Sequence, residues 1–151
     1  MKRIAALLIF CALSLAGYSQ KLGLGLGNGG LNIKSNHMSR LALVARFNGS
    51  NLLKNNWSFS PSIQGQIHIF DTDNAKPYFG IGIGSTFASN NGFSYNTYIP
   101  IGVEVFPMGQ KRFSLTVESG IGYGTTLLSK QFLYSGFRGL LEFTFYFGKT
   151  E

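Results

Sequence analysis

Trp57-Ser58-Phe59-Ser60-Pro61-Ser62-Ile63-Gln64-Gly65-Gln66-Ile67-His68-Ile69 alternates between two kinds of side chain along its whole length. Trp57, Phe59, Ile63, Ile67 and Ile69 fall on one side, with Pro61 and Gly65 between them. Ser58, Ser60, Ser62, Gln64, Gln66 and His68 fall on the other. Successive side chains of a strand point to opposite faces, so this period of two predicts a long strand with one apolar and one polar face. No window of comparable quality repeats at helical spacing.

The same pattern recurs toward the C-terminus. Phe79, Ile81 and Ile83 oppose Tyr78, Gly80, Gly82 and Gly84; Ile99, Ile101, Val103 and Val105 oppose Asn96, Tyr98, Pro100, Gly102 and Glu104. Phe113, Leu115, Val117 and Ile121 oppose Ser114, Thr116, Glu118, Gly120 and Gly122. In the last segment Phe137, Leu141, Phe143, Phe145 and Phe147 oppose Arg138, Glu142, Thr144 and Tyr146, and Leu140 alone breaks the pattern. Turn chemistry separates the runs at Asn48-Gly49-Ser50-Asn51, Asp71-Thr72-Asp73-Asn74, Ser89-Asn90-Asn91-Gly92 and Met108-Gly109-Gln110. The reading is a meander of antiparallel strands at about 21–27, 30–35, 39–48, 56–70, 77–88, 93–106, 111–124 and 136–148. An eighth strand requires either a split of Lys21 to Lys34 at Asn28-Gly29-Gly30 or a strand within Thr125 to Tyr134. Pro100 lies inside a predicted strand, where a missing N–H predicts a bulge.

Composition limits where such a chain can work. Of 151 residues only 13% are charged while 44% are hydrophobic, against roughly 25% charged in average soluble domains. A cytosolic enzyme fits poorly. Lys2 and Arg3 precede an apolar run from Ile4 to Ala16, too short for the ~20 residues of a spanning helix and suited to a secretory signal. Small residues at Gly17 and Ser19 place cleavage after Ser19, giving a signal peptide over 1–19 and one folded domain over 20–151. Phe10 before Cys11 argues against lipidation, and the exported part then has no cysteine, hence neither disulfides nor thiolate metal ligands. The basic surplus is dispersed over Lys21, Lys34, Lys54, Lys76, Lys111, Lys130 and Lys149, with no cluster for nucleic acid.

Alternation does not by itself say which face meets solvent. A soluble sheet turns its apolar side inward, whereas a lipid-embedded barrel keeps polar residues in the lumen. Three features favour lipid. The polar side is rich in Gly and Ser, as a narrow lumen requires. Glu104, Glu118 and Glu142 occur one per strand along it. Aromatics at Trp57, Phe59, Tyr78, Phe79, Phe93, Tyr95, Phe106, Phe113, Phe137, Tyr146 and Phe147 lie near strand ends, as two interfacial girdles would.

With its signal segment, its alternating strands, the tight turn Pro107-Met108-Gly109-Gln110 and the final strand Phe143-Thr144-Phe145-Tyr146-Phe147, the chain resembles the small outer-membrane β-barrel family typified by OmpA and OmpX. The resemblance spans essentially the whole exported portion. It implies an all-β, antiparallel up-and-down transmembrane barrel of about eight strands in the bacterial outer membrane, with outer-membrane lipid and the barrel-assembly machinery as partners. The aromatic last strand is similar to the segment that machinery reads in the family.

On the predicted lumenal face Arg46, Gln64, Gln66, His68, Glu104, Glu118, Arg138 and Glu142 form the candidate polar network. Unpaired charge there is costly, so the expected role is a plug of ion pairs and hydrogen bonds. Three Glu against two Arg leave one acid to be protonated or paired with a Lys, a His or water. His68 reads as a hydrogen-bonded lumen residue rather than a base, and His37 lacks companions for a metal. Gly25-Leu26-Gly27-Asn28-Gly29-Gly30 matches a dinucleotide motif in spacing, but no helix follows, so the glycines read as tight packing of a first hairpin. Asp71 and Asp73 are turn residues before they are calcium ligands. Thr125 to Ser135 is unusually apolar for a loop. No catalytic, cofactor or metal residues are assigned. The expected function is a structural or surface-contact barrel rather than an open diffusive porin. The alternatives are an envelope-lipid-modifying barrel enzyme and a soluble secreted barrel that binds an apolar ligand.

Overall fold

The computed structural model describes residues 22–38, 40–51, 55–70, 72, 74–89, 92–107, 112–126 and 132–147, with the backbone alone at 36–38, 125–126 and 132–138. The signal segment, Asp71, Asp73, the Met108-Gly109-Gln110 turn and 127–131 lie outside these residues.

Eight strands follow in chain order: β1 (Leu22–Gly27), β2 (Gly30–Met38), β3 (Leu41–Ser50), β4 (Ser58–His68), β5 (Ala75–Ala88), β6 (Gly92–Val105), β7 (Phe113–Thr126) and β8 (Phe132–Phe147). Each pairs antiparallel with the next, and β8 returns to β1, closing the barrel. The additional strand comes from the split at Asn28-Gly29. Gly30 takes φ +94° there, with the Asn48 Cα only 2.8 Å from where a Cβ would stand, so that turn requires glycine. Of the apolar stretch Thr125 to Ser135, the described residues belong to β7, which runs through Thr126, and to β8, which starts at Phe132.

Register fixes the stagger. From Gln64 the ladder runs through Val44, Lys34 and Gly23 to Tyr146 one way, and through Gly82, Tyr98 and Gly122 to Gly136 the other. The two paths reach β8 ten residues apart. That shear tilts eight strands by about 40° and leaves an interior that side chains fill. It also makes the wall uneven. The β1–β8 ladder ends at Gly27↔Glu142 and the β2–β3 ladder at Leu31↔Phe47, while β8 and β3 continue past them. Asn28 finishes that edge: its Nδ2 donates to the Gly139 carbonyl (3.3 Å) and its Oδ1 accepts from the Leu141 N–H (2.9 Å).

The bulge expected at Pro100 is not formed. Pro100 pairs in register with Gly120 of β7, and Phe79↔Ile101 and Gly82↔Tyr98 keep one register toward β5 on either side of it. Missing its N–H, the proline interrupts pairing locally, and the flanking ladder prevents slippage. Pro61 interrupts the β4–β5 ladder in the same way between Phe59↔Phe87 and Ser62↔Gly84, where Ser60 Oγ and Thr86 Oγ1 share a 2.9 Å hydrogen bond. Register shifts fall instead between Ser35 and Met38 and between Gly124 and Thr125.

The barrel is apolar outside and polar inside. Ile81 is 67% exposed, Ile101 64% and Phe143 49%, whereas Gln64 is 0% and Glu118 4% exposed. Three aromatics expected in the girdles do not belong there: Tyr78, Phe106 and Tyr146 are buried, because their strand parity turns them inward. Leu140, the break in the last strand's pattern, is buried in the lumen as well. The side chain of Phe137 is outside the described residues.

Candidate functional site

Inward positions of seven strands converge on a buried polar core. It is built in two layers, and tyrosines seated on glycines complete its packing. At mid-height Arg46 on β3 is the hub. Its Nε donates to Glu142 Oε1 (2.7 Å) and its Nη2 to Glu142 Oε2 (3.0 Å), a bidentate pair across the lumen to β8. Nη2 also reaches Glu118 Oε2 on β7 (3.2 Å), and Nη1 donates to Gln64 Oε1 on β4. Gln64 Nε2 and the Tyr78 hydroxyl each donate to Glu118 Oε2 at 2.7 Å. Tyr98 donates to Gln64 Oε1 (3.2 Å). One guanidinium thus meets two carboxylates and an amide, and Gln64, Tyr78 and Tyr98 add further donors on Glu118 Oε2 and Gln64 Oε1.

The second layer lies toward the end where β1 starts and β8 finishes. Lys34 on β2 pairs with Glu104 Oε2 on β6, side chains 3% and 0% exposed. Glu104 Oε1 accepts from Ser114 (2.6 Å) and from the Tyr146 hydroxyl. His68 Nε2 stands 3.9 Å from Glu104 Oε2, with its ring edge-on to Tyr78 at 6.0 Å between centroids. Lys34 Nζ lies 5.7 Å from the Tyr78 ring centre, so Tyr78 joins the layers. Lys34 is the cation for Glu104, while Arg46 is shared by Glu118 and Glu142.

The glycines of the polar face make room for these rings. A Cβ on Gly82 would clash with the Tyr98 ring, and one on Gly102 would lie 2.6 Å from the Tyr78 hydroxyl oxygen. Beyond the core, toward the β3–β4, β5–β6 and β7–β8 connections, the inward residues Ser60, Ser62, Thr86, Ser94 and Asn96 are half-buried and make a small polar vestibule.

Of the sequence-derived network, Arg46, Gln64, Glu118 and Glu142 meet in the first layer, and His68 and Glu104 in the second. Gln66 is 1% exposed, and its Oε1 has no protein partner among the described residues. Arg138 pairs through its backbone with Gly120, and its side chain is outside the described residues, as is that of His37. Lys34, Tyr78, Tyr98, Ser114 and Tyr146 were missed. Lys34 sits in the weakly patterned β2, and Tyr78 and Tyr146 read as girdle residues, although their parity with Gly80 and Glu142 was the available signal.

The layered core pairs its buried carboxylates with Lys34 and Arg46 and packs side chains into the lumen at two heights. Ser114 commits its hydroxyl proton to Glu104. Among the described residues no three His, Cys, Asp or Glu side chains converge as metal ligands. No family model, curated protein or solved structure matches this chain. The closed antiparallel eight-stranded barrel is consistent with the OmpA/OmpX-like fold.

Proposed function

We propose that the protein is an integral outer-membrane barrel with a plugged lumen, serving a structural or surface-contact role. One observation carries the reading: among the described residues no Asp, Glu, Lys or Arg occupies an outward strand position, while Lys34, Arg46, Glu104, Glu118 and Glu142 are all buried inside. Water as outer solvent gives no reason to place Ile81, Ile99, Ile101 and Ile121 at 60–70% exposure and to bury charges in their stead. Acyl chains give that reason, because a spanning barrel satisfies its backbone between strands and pays no penalty for apolar side chains outside.

The dimensions agree. From Pro77 to Phe87 the outward side of β5 is uncharged. Ten steps of ~3.3 Å at a tilt of ~40° rise about 25 Å, the height of an outer-membrane barrel's apolar band. Phe59, Phe87 and Tyr95 mark one border of this band, and Phe113, Phe145 and Phe147 the other. A carrier of apolar ligands would need the opposite lumen. An open porin would need a lumen without the Arg46 and Lys34 layers. In this reading residues 1–19 are the export signal and the assembly machinery is the partner during insertion.

Membrane fractionation with gel mobility before and after boiling tests the proposal. The protein should pellet with outer membranes and run faster unboiled. Trp57, the only tryptophan, stands 38% exposed beside the band, so acyl chains brominated near the ester should quench it. Recovery in the soluble fraction, with no quenching, refutes the reading.

A further inference from the structure

The ring of backbone pairing is broken at one place. β8 pairs with β7 up to Phe132, but its ladder to β1 ends at Glu142, so the edge of β8 that faces β1 is bare above the β1–β2 turn. Asn28 occupies only the first positions of that edge. Its N–H donates to the Leu141 carbonyl (3.1 Å), its Oδ1 accepts from the Leu141 N–H, and its Nδ2 donates to the Gly139 carbonyl. Strand alternation directs the N–H and C=O of Phe137 and Ser135 to the same side. The Gly139 N–H and both backbone groups of Phe137 and Ser135 thus have no backbone partner among the described residues. The rungs Ile101–Ser119–Gly139 and Ile99–Ile121–Phe137 carry this stretch through the apolar band. Across the gap β3 continues past Leu31↔Phe47 only as Asn48, Gly49 and Ser50, and Gly49 pairs with the girdle residue Phe59. The bare edge inside the band therefore belongs to β8.

We infer that this gap is a docking site for one extended segment of a partner protein, added to β8 as an antiparallel strand above β1. The inference rests on the membrane reading above and names a partner for the same barrel. Hydrogen-bond chemistry selects the occupant. Among acyl chains an unpaired backbone group is strongly unfavourable, and a bare edge is a template for strand addition. Lipid esters accept hydrogen bonds but donate none, so they leave the Phe137 and Ser135 carbonyls empty. A peptide strand offers donors and acceptors at the spacing of the edge. A second copy fails on geometry. Inserted the same way up, its β8 leans the opposite way at the contact, and two strands each tilted by about 40° cross at about 80°, which prevents a ladder. The two sides of the wall set the character of the segment: its outer side chains meet acyl chains and are apolar, and its inner ones open onto the vestibule of Ser60, Ser94 and Asn96 and are small and polar. A Cβ on Gly139 would meet nothing within 4 Å, so a bulky outer side chain of the segment has room to lie across it.

The outward residues Leu24, Leu26 and Asn28 of β1 pair with outward residues of β8, so an added strand turns the N–H groups of its own outward residues toward β8. The probe is a blocked peptide alternating Leu and Ser, as long as the bare edge from Phe132 to Leu140, made also with N-methyl groups on its Leu or on its Ser residues. It is added to the barrel in phospholipid nanodiscs, and amide NMR reads Ser135, Phe137 and Gly139. Their amide protons should shift downfield with the plain and with the Ser-methylated probe. The Leu-methylated probe should bind about 30-fold more weakly, the ratio for two net hydrogen bonds of ~1 kcal/mol each. Phe137→Pro removes an N–H that faces the gap and none that faces β7, so this variant should keep its heat-modifiable mobility and bind the plain probe about fivefold more weakly. Ser135→Pro should do the same and replaces it if Phe137→Pro does not fold. Equal binding of the two methylated probes, no shift at the three amides, or a probe-free dimer in which these amides are already hydrogen-bonded overturns the site. Any of these, obtained on a barrel whose Trp57 is quenched and whose mobility shifts on boiling, leaves the membrane reading standing. A barrel that fails those two checks overturns both.

Discussion

Replacing Arg46 by Met should be among the most damaging single changes in this barrel. Arg46 is 1% exposed and holds Glu142 through two bonds of 2.7 and 3.0 Å, Glu118 through one of 3.2 Å, and Gln64. Methionine keeps most of the volume, so the loss is electrostatic: two carboxylates remain buried with their shared cation gone. Breaking a buried pair by removing one partner costs about 3–5 kcal/mol, chiefly through the charge left uncompensated. With a urea dependence of ~2 kcal/mol per molar, the unfolding midpoint in vesicles should fall by about 2 M. Trp57 fluorescence reports the transition, since that residue lies on the outer wall, away from the substitution. The control is Arg46→Met combined with Glu118→Gln and Glu142→Gln, which removes the stranded charges along with the cation and should recover more than half of the loss. A single variant within ~1 kcal/mol of wild type, or a triple variant as unstable as the single, would show that Arg46 does not neutralise those two acids.

Gly82→Ala should destabilise the barrel by about 1–3 kcal/mol, read from its unfolding midpoint, because its Cβ would clash with the Tyr98 ring, whereas Gly65→Ala should be neutral, its Cβ meeting nothing within 4 Å. Asn28→Ala removes two side-chain bonds to the β8 edge and should cost about 1–2 kcal/mol, with faster amide exchange at Leu141 as the local signature. Planar-bilayer recordings of wild type should show no unitary ion steps, since Lys34–Glu104 and Arg46–Glu118–Glu142 fill the lumen at two heights; a steady open conductance would contradict the plug. Lys34→Met should destabilise strongly and Lys34→Met/Glu104→Gln much less, which unfolding midpoints of the two variants would show.

The strands were legible where both faces speak. In β4, β6, β7 and β8 the period of two placed boundaries to within a few residues and assigned each side chain a face, because a strand's geometry is local and needs no knowledge of its neighbours. β1 and β2 were harder: Gly-rich β1 carries little pattern, and the split that makes them two strands depends on the single left-handed Gly30. Proline misled at Pro100, since the residue forbids one hydrogen bond but says nothing of how firmly neighbours hold the register.

Tertiary structure alone decided which residues meet. Alternation is symmetric between an apolar-in and an apolar-out barrel, and only closure, with Gln64 shut away and Ile81 exposed, breaks that symmetry. Lys34 and Glu104 are separated by 70 residues, and Arg46 and Glu142 by 96. Their pairing follows from a stagger of ten that accumulates around the whole ring, a quantity no single segment contains. The sequence therefore determined the faces, and the shear of the closed barrel determined the partners across the lumen.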